Sequence, residues 1–427
     1  MSSRIASVHA RRVWDSRGRP TVEAEVTLAG GAVGRAIAPA GASRGSREAI
    51  DLRDGGERFG GLDVTQALAN VGGPIARALA GRDAGDQAGV DAALIALDAT
   101  PNKARLGGNA TVAVSLAVAQ AAAAALGLPL WRHLAGGNPV SLPLPEIQIF
   151  GGGAHAGRRI DVQDLMVIAT GAASFADALA MTADVYRAAG ELMQEAGKLA
   201  GVADEGGYWP AFDSNEDALT MLVRAIERAG YAPGDEMAIS LDIAASEFGR
   251  DGRYRLGLDR RELDRDGMAE MLLGWLDRYP IVSIEDPFGE DDRDGWMAFA
   301  RAAGARVQIV GDDYLTTSAA RVGQAAADRA CNAVLIKPNQ AGTVTETLDA
   351  LRAGKAAGFD SIVSARSGET EDVAIVHLAV GWNAGQLKVG SFARSERTAK
   401  WNEGLRIEEA LGAAGTLANP FAALRQR

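Results

Sequence analysis

Six short runs in the second half of the chain restrict its fold more than any other feature: "MAISLDIA", "IVSIEDP", "VQIVGDD", "AVLIKPN", "SIVSARS" and "LKVGS". Each is an apolar stretch too short for a helix, and helical patterns such as "TETLDALRAGKAAG" separate them. Short, fully apolar strands alternating with helices are buried on both faces, which predicts a parallel sheet covered by helices. Every run carries a charged residue at its predicted C-terminal end: Asp242, Glu285, Asp312, Lys337, Arg366 and Lys388, spaced 22 to 43 residues apart, one strand–helix unit per step. A closed barrel gathers such residues on its C-terminal rim, where barrel active sites lie. An open, doubly wound sheet is the rival, and it would scatter them along one edge. A single acid after a strand is ordinarily a helix cap or a surface charge. Six in register, three acidic and then three basic, are not what capping produces.

The first third has a different rhythm. "IASVHARRVW" and "TVEAEVTLAGGAVGRAIAPA" alternate apolar and polar residues, as antiparallel strands around a Gly-Gly turn do. A glycine-rich "PAGASRGSREA" and helical segments follow. The Pro-rich "GGNPVSLPLPE" predicts a boundary, with an α+β domain over residues 1–136 and the barrel over 137–427. A net charge of −11 argues against a nucleic-acid partner, whose binders carry a basic face. One cysteine, Cys331, excludes an intramolecular disulfide and suits a reducing cytoplasm. No signal-like segment opens the chain, and the Ala-rich "VAVSLAVAQAAAAALGLPL" reads as a buried helix rather than a membrane span.

Three carboxylates on one rim suit a hard divalent cation such as Mg²⁺, which takes oxygen ligands and keeps sites open for a substrate. Four histidines and one cysteine offer no zinc-type spacing. Lys337 leaves an apolar strand for that rim. Burial and a nearby cation both disfavour an ammonium, so it is a candidate general base; a lysine that only pairs with the acids is the alternative. A lysine base beside Mg²⁺ fits proton abstraction α to a carboxylate, the metal holding the resulting dianion. "GVADEGGYWP" supplies Asp204 and Glu205 in a glycine-flanked turn as candidate acids, and Arg366 with Ser367 would hold an anionic group.

The motifs "WDSRGRPTVE", "GASRG", "GGGAHA", "ADEGG", "LDIAASEF", "SIEDPF", "VGDD", "LIKPNQAGTVTETL", "RSGETED" and "RSERTAKWNEGLRIEE" resemble those of the enolase family, in the same order over nearly the whole chain. The resemblance implies a small N-terminal α+β domain and an eightfold β/α barrel that begins with an antiparallel step. It implies dehydration of 2-phosphoglycerate to phosphoenolpyruvate with two Mg²⁺, and a homodimer or homo-octamer. By motif, Asp242, Glu285 and Asp312 would bind the first Mg²⁺, and Ser43, on a closing loop, would meet the second. Lys337 would take the C2 proton with Lys388 near the carboxylate, Glu205 would protonate the departing hydroxyl, and His155 would lie beside it. Arg366 and Ser367 would bind the phosphate, with Gln163, Asp164, Arg44 and Ala365 lining the substrate.

The chain departs from the family's pattern around this pocket. Ala365 replaces a histidine, Asp164 replaces a longer glutamate, and Gln148 and Gly151 stand where the family has asparagines. Arg44 replaces a threonine, and Arg158 and Arg159 replace residues that are commonly asparagine. Lost bulk and added positive charge raise an alternative: a bulkier or more anionic phosphonate analogue, as used by the related carboxyphosphonoenolpyruvate synthases of phosphonate and phosphinate biosynthesis. A scaffold that kept the fold without catalysis is a third reading, and it gives no reason to keep both lysines and all the carboxylates.

Overall fold

The computed structural model describes residues 2–422. Near the N-terminus, β1 (Ile5–Trp14), β2 (Pro20–Leu28) and β3 (Val33–Ile37) form an antiparallel meander whose second turn carries Gly31 at positive φ. An 18-residue helix, Gly108–Ala125, packs across β2 and β3. It is apolar on all sides, and by length and composition it would cross a bilayer, but 83% of it is buried inside the protein, as expected of a core helix. Its alanines allow a close approach: a Cβ on Gly34 would sit 2.1 Å from the Ala117 carbonyl oxygen and 2.2 Å from the Ala121 nitrogen.

The barrel follows, with β4 (Leu144–Gly151), β5 (Asp164–Ile168) and β6 (Ala238–Asp242) as its first strands. A small antiparallel sheet, β7 (Gly249–Arg250), β8 (Arg253–Leu256) and β9 (Arg261–Asp264), is inserted next. The remaining barrel strands are β10 (Ile281–Glu285), β11 (Gln308–Gly311), β12 (Ala333–Ile336), β13 (Asp360–Ser364) and β14 (Gln386–Gly390). They close in the order β10-β11-β12-β13-β14-β4-β5-β6, so the doubly wound alternative is excluded. Every neighbouring pair is parallel except those of β5, which runs antiparallel to both β4 and β6. This reversal matters for the site, because it puts the first residue of β5, Asp164, beside Asp242 at the end of β6.

The two parts are sewn together by buried polar contacts. Asp91, on the helix Gln87–Asp98, accepts from Ser115 Oγ (2.6 Å), from the Thr345 backbone N–H (2.9 Å) and from the Thr345 hydroxyl (2.6 Å). The loop after β3 crosses to the barrel rim, where Ala40 and Gly368 exchange backbone hydrogen bonds of 3.0 and 2.9 Å.

Because the atoms that a Gly34 side chain would meet are backbone, they cannot yield without moving the helix. Gly34→Ala is therefore expected to destabilise the protein by about 1–3 kcal/mol, as overpacking does, measured by urea denaturation. Wild-type stability in this variant would show that the helix does not press on β3 in this way.

Candidate active site

Each charged residue reaches the rim for a local reason. β6 and β10 end on Asp242 and Glu285, while Asp312 and Lys337 lie one residue beyond β11 and β12. Arg366 lies two beyond β13. Lys388 is different: it sits within β14 rather than at its end, opposite Ser364 on one side and Glu146 on the other, and its ammonium rises into the site. The strand continues to Gly390 past an irregularity in register, which a reading from apolar runs does not see.

At the centre, Lys388 Nζ donates to Glu285 Oε2 (2.7 Å) and Asp242 Oδ2 (2.9 Å) and lies 3.4 Å from Asp164 Oδ2. Lys337 Nζ pairs with Asp312 Oδ2. All these residues are buried, around a cavity of about 20 Å³, roughly room for one water. The sequence expectation set burial and a nearby cation against the Lys337 ammonium; among the protein's own groups the balance runs the other way. Burial is the largest influence and lowers its pKa, but the surrounding carboxylates, Asp312 first and then Glu285, together carry the net direction upward. Lys388 is raised further, because Asp242, Glu285 and Asp164 outweigh its burial. Both are ammoniums in this arrangement.

The anion corner is built on Arg366. Its guanidinium makes a forked pair with Glu48, NH1 to Oε2 at 2.9 Å and NH2 to Oε1 at 3.2 Å, and also donates to the Ser43 carbonyl (2.8 Å) and Asn339 Oδ1 (3.1 Å). Glu48 Oε1 also accepts from Gly45 N–H (3.0 Å) and Gln340 (3.2 Å), so one carboxyl folds the Ser43 loop onto the barrel. Ser367 Oγ accepts from Ala42 N–H at 3.1 Å. The Gln163 amide donates to Asp242 Oδ2 (3.1 Å) and reaches Ser43 Oγ (3.4 Å).

A trio also lines the cavity: His155 Nε2 lies 3.7 Å from Asp164 Oδ1 and 3.8 Å from Glu205 Oε1. Burial raises Asp164, and the neighbouring His155 and Lys388 do not cancel it. Burial also pushes Glu205 upward, but His155 and Arg397 hold it below the usual carboxylate range. The directions place a proton on Asp164 sooner than on Glu205. Asp204, the other candidate in that turn, does not line the cavity.

Oxygen donors for a divalent cation are at hand. Glu285 Oε1 is buried without a hydrogen-bond partner, while its other oxygen is taken by Lys388. Asp312 is held below the usual range, burial being outweighed by Lys337 and Arg366. No thiol or imidazole adjoins Asp242, Glu285 and Asp312 in these contacts, so the donor chemistry fits Mg²⁺. Two tight groups of ligand atoms, each within 4.8 Å, occur among the described residues: His155–Asp164–Glu205 and Asp286–Asp312–Asp313. In the second, both Asp286 oxygens accept backbone N–H bonds, from Asp312 (2.9 Å) and Asp313 (2.8 Å).

Twelve of the residues that the sequence singled out for the site therefore line the cavity or contact a residue that does, and Ala365 lines it too. Arg44 is exposed and does not. Arg158 pairs at the surface with Glu247 (2.7 Å), its side chain 69% exposed. Sequence reasoning missed Glu48, which reads as one more charge among Arg44, Arg47 and Asp51. It also missed Arg397, wholly buried and donating to the Arg366 (2.7 Å) and Val389 (2.9 Å) carbonyls. Glu146 was legible in principle, as a lone acid inside "LPLPEIQIF".

Comparison with known proteins agrees with this arrangement. The model for "Enolase, N-terminal domain" matches residues 5–134, and that for "Enolase, C-terminal TIM barrel domain" matches residues 139–422. Among similar proteins, "Enolase 1" of Desulfitobacterium hafniense (strain Y51) is 50% identical over 414 residues, covering 96% of this chain and 95% of that one. With its closed barrel, its reversed second barrel strand and its rim of acids and lysines, this chain belongs to the enolase family.

Proposed function

We propose that the protein is a Mg²⁺-dependent hydro-lyase that removes water from 2-phosphoglycerate to give phosphoenolpyruvate. The observation that carries this reading is the convergence on one buried cavity of two lysines, the Asp164–His155–Glu205 trio and the carboxylates Asp242, Glu285 and Asp312 that pair with the lysines. Removing a proton from C2 and expelling hydroxide from C3 need a base and an acid that are separate and do not quench each other. In this reading Lys337 accepts the C2 proton, and Lys388 stays charged near the substrate carboxylate. Arg366 and Ser367 take the phosphate, as forked and hydroxyl donors, and Gln163 and Ser43 border it.

The acid needs a proton, and Glu205 alone holds one poorly. His155 Nε2 faces both carboxyls, at 3.7 Å from Asp164 and 3.8 Å from Glu205, so in this reading the trio shares the proton that Glu205 delivers. Asp242, Glu285 and Asp312 would hold one Mg²⁺ and Ser43 would adjoin a second; bound there, the ions supply positive charge for the dianion formed when C2 loses its proton. The carboxylates that keep the lysines charged are the same ones that would ligate the ion. Committing them to it leaves burial, which favours the free amine, as the dominant influence on Lys337.

Nothing in the geometry favours the phosphonate analogue. Its support was extra room at Ala365 and extra charge from Arg44, Arg158 and Arg159; the cavity is about 20 Å³, none of the three arginines lines it, Arg44 is exposed and Arg158 is engaged by Glu247. Ala365 is, on this proposal, a tolerated change. A homo-oligomer and a cytoplasmic location belong to the same proposal, the first resting on family membership and the second on a single buried, free cysteine. The division between the two parts is proposed at residue 136, where the helix Leu130–Ala135 ends on a left-handed glycine.

With 2-phosphoglycerate and Mg²⁺, the ultraviolet absorbance of the product should report turnover on the order of 1–10³ s⁻¹. Lys337→Ala should lower kcat by about 10²–10⁴-fold. Wild-type protein that binds Mg²⁺ yet turns over only the carboxylated phosphonate analogue would overturn the assignment. Magnesium also has a readout that needs no turnover. At a hundredfold excess over its Kd it should raise the unfolding free energy by about 2.7 kcal/mol, reversibly on chelation, and Asp242→Asn should abolish the gain. A melting temperature indifferent to Mg²⁺ would remove the metal from the proposal.

A further inference from the structure

Gln148, on β4, lies one layer behind the cavity and is fully buried. Its Oε1 accepts the backbone N–H of Gly207 at 2.9 Å. A backbone N–H can only donate, so the amide oxygen must face Gly207 and the NH₂ must face the other way. There it donates to Asp164 Oδ1. Gly207 closes the turn that carries Glu205, with Ala203 N–H bonded to the Gly207 carbonyl (2.8 Å) and Gly206 N–H to the Ala203 carbonyl (3.1 Å). One side-chain amide thus ties together the two carboxyl groups that flank His155.

The surroundings are shaped for it. A Cβ on Gly207 would lie 2.5 Å from Gln148 Oε1, and one on Gly151 would lie 2.7 Å from Ala203 Cβ and 3.0 Å from Gln148 Oε1. The amide fills the space that both glycines leave. Asp164 and Gln148 rise from adjacent antiparallel strands, β5 and β4, so the combined length of the two side chains determines whether they meet.

We propose that Gln148 is a positioning residue for the acid side of the reaction. It holds the Asp164 carboxyl by one oxygen, leaves the other toward Lys388, and sets the place of Glu205 through the Gly207 turn. This rests on the reading of Asp164, His155 and Glu205 as the proton-donating trio. Gln148 touches no substrate; it acts through the carboxyls it holds.

Three variants test it. Gln148→Met keeps the length and loses both hydrogen bonds, and should lower kcat by about 10- to 100-fold, the usual cost of losing such a partner, with KM within about threefold. Gln148→Asn falls one methylene short of Asp164 and should lose as much. Adding Asp164→Glu restores that methylene from the other strand, so the double variant should recover about tenfold over Gln148→Asn, a coupling that a mere packing role would not show. Kinetics of Gln148→Met within threefold of wild type, or additive losses in the double variant, would overturn the proposal. Hydrogen exchange separates it from the functional reading: amides of residues 203–208 should exchange faster in Gln148→Met than in wild type, whichever substrate the enzyme takes. Unchanged exchange there would show that Gln148 does not hold the turn. Faster exchange in Gln148→Met, found together with a wild type inactive on 2-phosphoglycerate, would keep the tie and overturn only the assigned reaction.

Discussion

A buried ammonium shared by carboxylates from three strands is the interaction around which this molecule is arranged. Lys388 meets Asp242, Glu285 and Asp164, from β6, β10 and the reversed β5. Breaking a buried ion pair by removing one partner costs about 3–5 kcal/mol, because the other charge is left without compensation. The barrel can keep so many acids at its centre only because the lysines sit among them. The closed sheet supplies the convergence, and the antiparallel β5 brings Asp164 to the same end as the rest. Charge balance and topology are here a single constraint.

A second buried pair, Glu48 with Arg366, couples the N-terminal part to the chemistry. Its forked geometry satisfies the guanidinium from a loop outside the barrel, and Glu48 at the same time organises Gly45 and Gln340. The loop bearing Ser43 is therefore held by the very cation that an anionic substrate would seek. An incoming phosphate and Glu48 would share one fork of donors, and the exposed Arg44 plays no part in that contact.

The architecture was legible because strand length, apolar run and terminal charge all reported the same repeating unit. The N-terminal hairpin and the Ala-rich core helix were legible for similar reasons, since strict alternation and an all-round apolar helix each leave few alternatives. What escaped depended on depth and direction. Lys388 sits inside β14, and apolar patterning does not tell a residue at a strand end from one a step earlier. Glu48 looks like surface charge until the loop folds back onto Arg366. The carboxylates that keep Lys337 charged among the protein's own groups, Asp312 and Glu285, stand at the ends of other strands, so a single run of sequence does not weigh them against burial. Gln148 was visible only as a departure; its two hydrogen bonds appear once β4, β5 and the Glu205 turn are in place.

In the proposed reaction base and acid are separate groups, Lys337 and Glu205, that line one cavity. Exchange of the C2 hydrogen of 2-phosphoglycerate, followed by NMR in deuterated buffer, tests it most directly. Glu205→Gln should keep Mg²⁺-dependent exchange at C2 while failing to release water, and Lys337→Ala should lose the exchange itself. Exchange that survives without Lys337, or disappears with Glu205 alone, would contradict the division of labour described here.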